Sequence, residues 1–406
     1  MEKLIIIDEY FVDMGGHYYE YNKSVQEIFT ENGGTAVIYA NKKLDPRIQK
    51  ELGAVPFFNG LSKNALNKIP VIGQLINRAI FWYSLYRKIK ELYELEFAPD
   101  TVFFFTTVVW YNVLPVALAA SGSKSKNVLL YRTSFTEHPG LPASLTKAGN
   151  WLYKYTFGKL KQNRNVVFCT DSDVIATECK QLFECNMGVL PIPHIKDDTK
   201  DITNTIVPVA PKEYVLYAPG AIRTEKGIRF IAEAFEYMAQ IKHPILDKIT
   251  LVTQYSETGD VNLNAEIKER LKKLPVKNIF LGNLSTDSYN DQLRTADIML
   301  IPYSMAHGYR ARTSGIMSET IAASKPFITT KDSWMSIQSE KYDTGLSVSY
   351  GSAEEFTEAL VALTTNYEIY KEKAVNAKAG WLSYHSKQNF YKLLKGIINS
   401  KQVGGK

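Results

Sequence analysis

Short apolar runs alternating with longer amphipathic stretches, twice over, constrain this chain more than any other feature. In the first half the runs are KLIII, TAVIYA, TVFFFTT, NVLLYR and NVVFCT; in the second they are EYVLYAP, KITLVTQ, NIFLGN, ADIMLIP and KPFITT. Runs this short, rich in Val, Ile, Leu and Phe, suit parallel strands buried on both faces. Residues 18–31, 73–95 and 145–161, then 227–241, 262–274, 287–295 and 314–324, carry apolar residues at helical spacing between them. The pattern predicts an α/β chain with two doubly wound, parallel-sheet (Rossmann-like) domains facing a cleft. A Pro-rich passage with a polar centre, Pro191 to Pro211, divides the halves. It sets a first domain at 1–195, a linker at 196–212 and a second domain from 213.

The length agrees: 406 residues at about 150 per domain suit two large domains that need no disulfide or metal staple. An apolar share of 45% and a charged share of 22% exclude a disordered or collagen-like chain. Cys169, Cys179 and Cys185 form no CxxC pair, which argues for a reducing compartment and against a zinc site. Asp8 interrupts the opening apolar run before it reaches signal-peptide length. Residues 101–123 are uncharged and long enough to be weighed as a membrane span. Thr106, Thr107, Asn112 and Pro115 instead divide them into a buried strand and a helix.

The net charge of +6 is unevenly spread. No acid lies between Glu51 and Glu91, where six bases occur, and none follows Glu372, after which come seven lysines. A localised excess suits an anionic partner. Within the first of these stretches, residues 61–90 mix bases with Phe81, Trp82, Tyr83 and Tyr86. They read either as a core-facing helix with solvated bases or as a helix for an anionic membrane surface. No nucleic-acid-binding motif accompanies the bases, so no nucleic acid partner is expected.

In doubly wound sheets, ligands bind beyond the carboxyl ends of strands, and four such loops carry chemistry. Gly15 and Gly16, in Asp13-Met14-Gly15-Gly16-His17, let backbone approach an anion at a helix start; the dinucleotide pattern GxGxxG is absent. In the loop 220–227, Arg223 and Lys226 lie three apart at a Gly-bounded helix start and suit a diphosphate, while Glu225 is placed to pair with either. In the loop 310–319, Arg312, Thr313, Ser314 and Gly315 open a helix, and Glu319 follows about one turn on, where it can accept from ribose hydroxyls. The plainer reading is a capped helix with an exposed glutamate. In the loop 132–138, His138 is a candidate for the reaction centre, although a lone histidine is more often structural.

Together with FCTDSDVIATECKQLF and VLPIPHI, the segments GGHYYEYNKSVQEIFTENGG, GAIRTEKGIRFIAEAF and RTSGIMSETIAASKP resemble the retaining nucleotide-sugar glycosyltransferases of glycosyltransferase family 4, with the glycosyltransferase-B fold. The resemblance covers nearly the whole chain. It implies Arg223 and Lys226 on the donor diphosphate, Glu319 on the ribose, and residues 376–406 returning as a helix to the first domain. It also implies a cytoplasmic hexosyltransferase-type enzyme, peripheral at the inner membrane face, working in surface polysaccharide or glycoconjugate synthesis. The donor would be a nucleoside diphosphate sugar, a UDP-sugar foremost, and the acceptor a glycan or lipid-linked molecule. No cofactor and no metal are expected; Arg223, Lys226 and the Ser314 and Gly315 amides would stabilise the departing diphosphate. One position departs from the family pattern: of two glutamates eight apart, the first is Ala311. That substitution keeps open a catalytically idle, nucleotide- or partner-binding subunit, and an epimerase of the same fold stands behind it.

Overall fold

Thirteen strands build two parallel sheets in the computed structural model, which describes residues 3–14, 17–60, 72–137, 146–195, 213–220, 223–255, 261–305 and 309–399. The linker 196–212 lies outside them. The first sheet uses β1 (Lys3–Asp8), β2 (Thr35–Asn41), β3 (Val55–Phe58), β4 (Thr101–Val108), β5 (Lys126–Tyr131), β6 (Val166–Thr170) and β7 (Gly188–Val189). Their order is β3-β2-β1-β4-β5-β6-β7, every pair parallel. The second uses β8 (Tyr214–Ala218), β9 (Ile249–Gln254), β10 (Lys277–Leu281), β11 (Ile298–Ile301), β12 (Phe327–Thr330) and β13 (Leu346–Val348), in the order β10-β9-β8-β11-β12-β13. All ten expected strands are present. Three short ones, β3, β7 and β13, were not expected.

The two compact units are Met1–His194 with His385–Lys406, and Ile195–Tyr384. In the first, every residue of β4 is buried, and the core joins Ile6, Phe104, Val128 and Leu130 of the sheet to Val25 and Ile28 of the helix His17–Glu31. The uncharged stretch 101–123 resolves into β4 and the helix Val113–Ser121. Among the described residues no helix is long and apolar enough to cross a membrane. The second unit packs Phe230, Phe235 and Met238 of the helix Ile228–Gln240 against Leu216, Leu251 and Leu300 of its sheet.

The chain changes unit at Tyr384–His385, later than the expected boundary at 376, which falls inside the helix Tyr367–Tyr384. The reason is Trp381, fully buried between Trp334 and Tyr342 and so held in the second unit. After the break, the helix Lys387–Asn399 sends Phe390, Leu394 and Ile398 into the first core. Lys387 adds ion pairs to Glu27 (2.9 Å) and Glu31 (2.8 Å).

Candidate nucleotide-sugar site

The carboxyl end of β8 opens on Gly220, at φ +90°, whose N–H donates to the Gln254 Oε1 at the end of β9 (2.7 Å). The next described residues are Arg223 and a 3-10 turn, Thr224–Lys226, which ends on Gly227 at φ +73°. Any side chain at Gly227 is excluded: its Cβ would lie 1.9 Å from the Pro302 carbonyl oxygen. The close approach brings the turn against the end of β11, where the Ser304 N–H donates to the Glu225 carbonyl (3.0 Å).

Lys226 is thereby aimed at Tyr303. Its Nζ donates to the Tyr303 hydroxyl (2.6 Å) and stands 4.1 Å from the ring centroid. Desolvation lowers the Lys226 pKa to about 8, against smaller opposing effects from Tyr309 and Glu225. Burial raises that of Tyr303, and a hydrogen bond with Ser314 opposes the shift. Arg223 is half exposed and pairs with Glu225 at 3.5 Å. Of the two pairings open to Glu225, this is the one formed, and Glu225 also accepts from the Tyr309 hydroxyl (3.4 Å).

The loop after β11 supplies the second half. Arg312 places its guanidinium 4.9 Å from the Tyr309 ring centroid, and Thr313 follows it into the helix Gly315–Ala322. Ser314 caps that helix by accepting from the Met317 N–H (3.2 Å), so the capping role is real. Gly315 is the first helical residue, and a Cβ there would meet nothing. Glu319 is half-buried rather than exposed, and its Oε2 accepts from the Tyr289 hydroxyl (2.6 Å). Tyr217, Tyr289 and Tyr303 all feel its charge. Ala311 is buried.

These residues bring three basic side chains, a helix N-terminus and a carboxylate to the loops after β8 and β11, at the switch point of the second sheet, which suits an anionic nucleotide. Tyr303, Tyr289 and Gln254 were missed by the sequence reading; the rule that ligands gather at strand ends marks Tyr303 and Gln254. Gly15, Gly16 and His138 lie outside the described residues. The rest of the His138 loop is anchored in the first unit: Glu178 accepts from Ser134 Oγ (2.8 Å) and Thr136 Oγ1 (2.9 Å), and Arg132 pairs with Asp171 (3.1 Å). Among the described residues no group of three His, Cys, Asp or Glu is placed to hold a metal ion.

Residues 213–366, which hold every one of these second-unit groups, match the family model for glycosyl transferases group 1. The chain carries a glycosyltransferase domain. No curated protein sequence matches it. Among solved structures, a glycosyltransferase from Rickettsia africae superposes with a TM-score of 0.71 at 14% identity, over 100% of both chains. A UDP-forming α,α-trehalose-phosphate synthase from Burkholderia xenovorans gives 0.66 at 12% identity, again over 100% of both. The Anabaena HepE protein in complex with UDP gives 0.64 at 14%, over 97% of this chain and 98% of that one. The two parallel-sheet domains of this glycosyltransferase are thus the glycosyltransferase-B fold.

Proposed function

We propose that the chain transfers a sugar from a nucleoside diphosphate sugar, a UDP-sugar foremost, to a glycan or lipid-linked acceptor, with retention at the anomeric carbon. The observation that carries this reading is Lys226, held over Tyr303 between a Gly-bounded turn and the Ser314-capped helix. There the ammonium, Arg223 and the helix amides oppose the charge that grows on a departing diphosphate. Glu319 accepts from ribose hydroxyls. The UDP of the Anabaena structure and the UDP-forming synthase support the choice of nucleotide. A thermal-shift panel of UDP-, GDP-, ADP- and CMP-sugars tests it, since a ligand at 100 times its dissociation constant stabilises by about 2.7 kcal/mol. No shift with any of them refutes the reading. The anomeric configuration of the product, read by NMR, tests retention.

Ala311 favours a second reading, an idle nucleotide-binding subunit; UDP binding with no transfer and no donor hydrolysis would select it. For location, we infer a cytoplasmic enzyme working at the inner membrane face in surface polysaccharide or glycoconjugate synthesis. Support comes from the helix Ile72–Leu95, where Ile76, Ile80 and Tyr83 form an exposed stripe with Arg87. Co-sedimentation with anionic but not neutral vesicles, lost at about 0.5 M salt, is the expected result.

A further inference from the structure

The first sheet has its own switch point, between β1 and β4, where the strand order reverses. The loop after β4 presents Trp110 and Tyr111 there. Tyr111 meets the ring of Tyr10, which follows β1, edge-on at 5.5 Å, and Tyr10 neighbours Tyr18 at 6.4 Å. The helix Ile72–Leu95 is pinned to this wall by Trp82, whose Nε1 donates to the Tyr111 carbonyl (2.6 Å). One turn earlier on the same helix face, Arg78 lays its guanidinium over Trp110, 4.6 Å from the ring centroid, and 5.4 Å from that of Tyr111.

The backing of the wall is hydrogen-bonded through Asn112. Asn112 donates to Glu9 Oε1 (2.6 Å) and to the Thr107 carbonyl (2.9 Å), and accepts from the Val109 N–H (2.7 Å). The other charged groups of this region are committed: Asp8 to Asn22 (2.7 Å), Glu9 to Asn112, and Arg132 to Asp171. Arg78 is the exception. Among the described residues no carboxylate or other hydrogen-bond acceptor takes its N–H groups, and only the rings of Trp110 and Tyr111 lie within cation–π range of it.

A half-buried guanidinium loses hydration, and the aromatic faces return only part of it. The Trp110 ring centroid lies 4.6 Å from this guanidinium, and a guanidinium's edge is the side that grips oxyanions in pairs. The half-buried ring of Tyr111 beside it suits the C–H surface of a pyranose. We propose that Arg78, seated on Trp110 and Tyr111, is the subsite for an anionic group, phosphate or carboxylate, on the acceptor sugar. The proposal rests on the transferase reading above and adds the acceptor's chemistry to it.

The test measures binding to the full chain by calorimetry, with UDP saturating, using glucose 6-phosphate, glucuronate and glucose as probes. The wild-type chain should bind one or both charged sugars about tenfold or more tighter than glucose, the span of a charge-assisted hydrogen bond. A phosphate subsite prefers glucose 6-phosphate, a carboxylate subsite glucuronate. Arg78→Gln should erase that preference, and Arg78→Lys should keep part of it. Both should retain the wild-type thermal midpoint and UDP affinity, which sets a folding defect apart from a lost contact. The proposal is overturned if no charged probe binds more tightly than glucose, or if Arg78→Gln keeps the preference. Failure of UDP itself to bind would instead overturn the donor assignment.

Discussion

β1 and β8 hold the same place in their sheets, third in the order and next to the switch point, yet the polar groups after them are opposite in sign. β1 ends in two buried carboxyls, Asp8 and Glu9, whereas β8 leads into Arg223 and Lys226. Burial drives Glu9 and Lys226 toward neutrality from opposite sides: it raises Glu9 to about 7 and lowers Lys226 to about 8. The difference teaches that the doubly wound sheet supplies a place, while the loop supplies the charge that chooses the ligand. A diphosphate suits the second unit. In the first, the carboxyls are spent on Asn22 and Asn112, and they back a wall instead of meeting a ligand.

The sharpest break in this comparison is Lys226→Ala. If the second unit's cation meets the departing diphosphate, turnover should fall by about 10²–10³, the range for removing a charge-stabilising donor, with a smaller change in donor KM. Equal loss through KM alone would mean that Lys226 only binds the ground state. Next comes Gly227→Ala. A Cβ at φ +73° would overlap the Pro302 carbonyl oxygen, so destabilisation should exceed the roughly 1 kcal/mol of an incompatible Gly→Ala change. Thermal unfolding should show it, together with weaker UDP binding, because the turn carries Lys226.

The long strands were legible because continuous apolar runs such as TVFFFTT have no solvent face to interrupt them. The three that escaped stand at or beside sheet edges. β3 is four residues around Pro56, β7 two residues and β13 three, too short for a pattern, and proline is tolerated at an edge. The site was half legible for a similar reason. Arg223, Lys226, Ser314 and Glu319 announce themselves by local spacing at helix starts. Tyr303 and Tyr289 reach Lys226 and Glu319 from 77 and 30 residues away, and only the fold brings them together. Arg78 looked like one solvated base among six; its seat on Trp110 depends on how the helix Ile72–Leu95 docks.

The first unit offers the third test. Glu9 has a folded pKa of about 7 against 4.5 for an exposed carboxyl, mainly from burial, with Asn112 opposing. The folded state therefore holds this proton more tightly, and stability from Glu9 is full below about pH 4.5 and lost as the pH rises through 7. The effect is on the order of 3 kcal/mol at most. Glu9→Gln keeps an oxygen for Asn112 and cannot ionise, so its stability should fall less than the wild type's between pH 4.5 and 7 in urea unfolding. Parallel profiles would show that Glu9 stays ionised in the folded chain and that the two switch points are less alike than their shifts imply.

The smallest effect belongs to Tyr303→Phe, which leaves the ring beneath Lys226 and removes only the oxygen that accepts from its Nζ. A single hydrogen bond of this kind is worth about 0.5–1.5 kcal/mol, or about half to one pKa unit. Because the phenol oxygen stabilises the ammonium and not the amine, its loss should lower the Lys226 pKa further below 8. Activity that needs the ammonium is present below that pKa and disappears above it. The alkaline limb of kcat/KM, set by the free enzyme, should therefore move toward acid by that amount, with the plateau below about pH 6 nearly unchanged. A limb that stays in place, or moves toward base, would mean that Tyr303 does not hold the charge of Lys226 and that burial alone sets it.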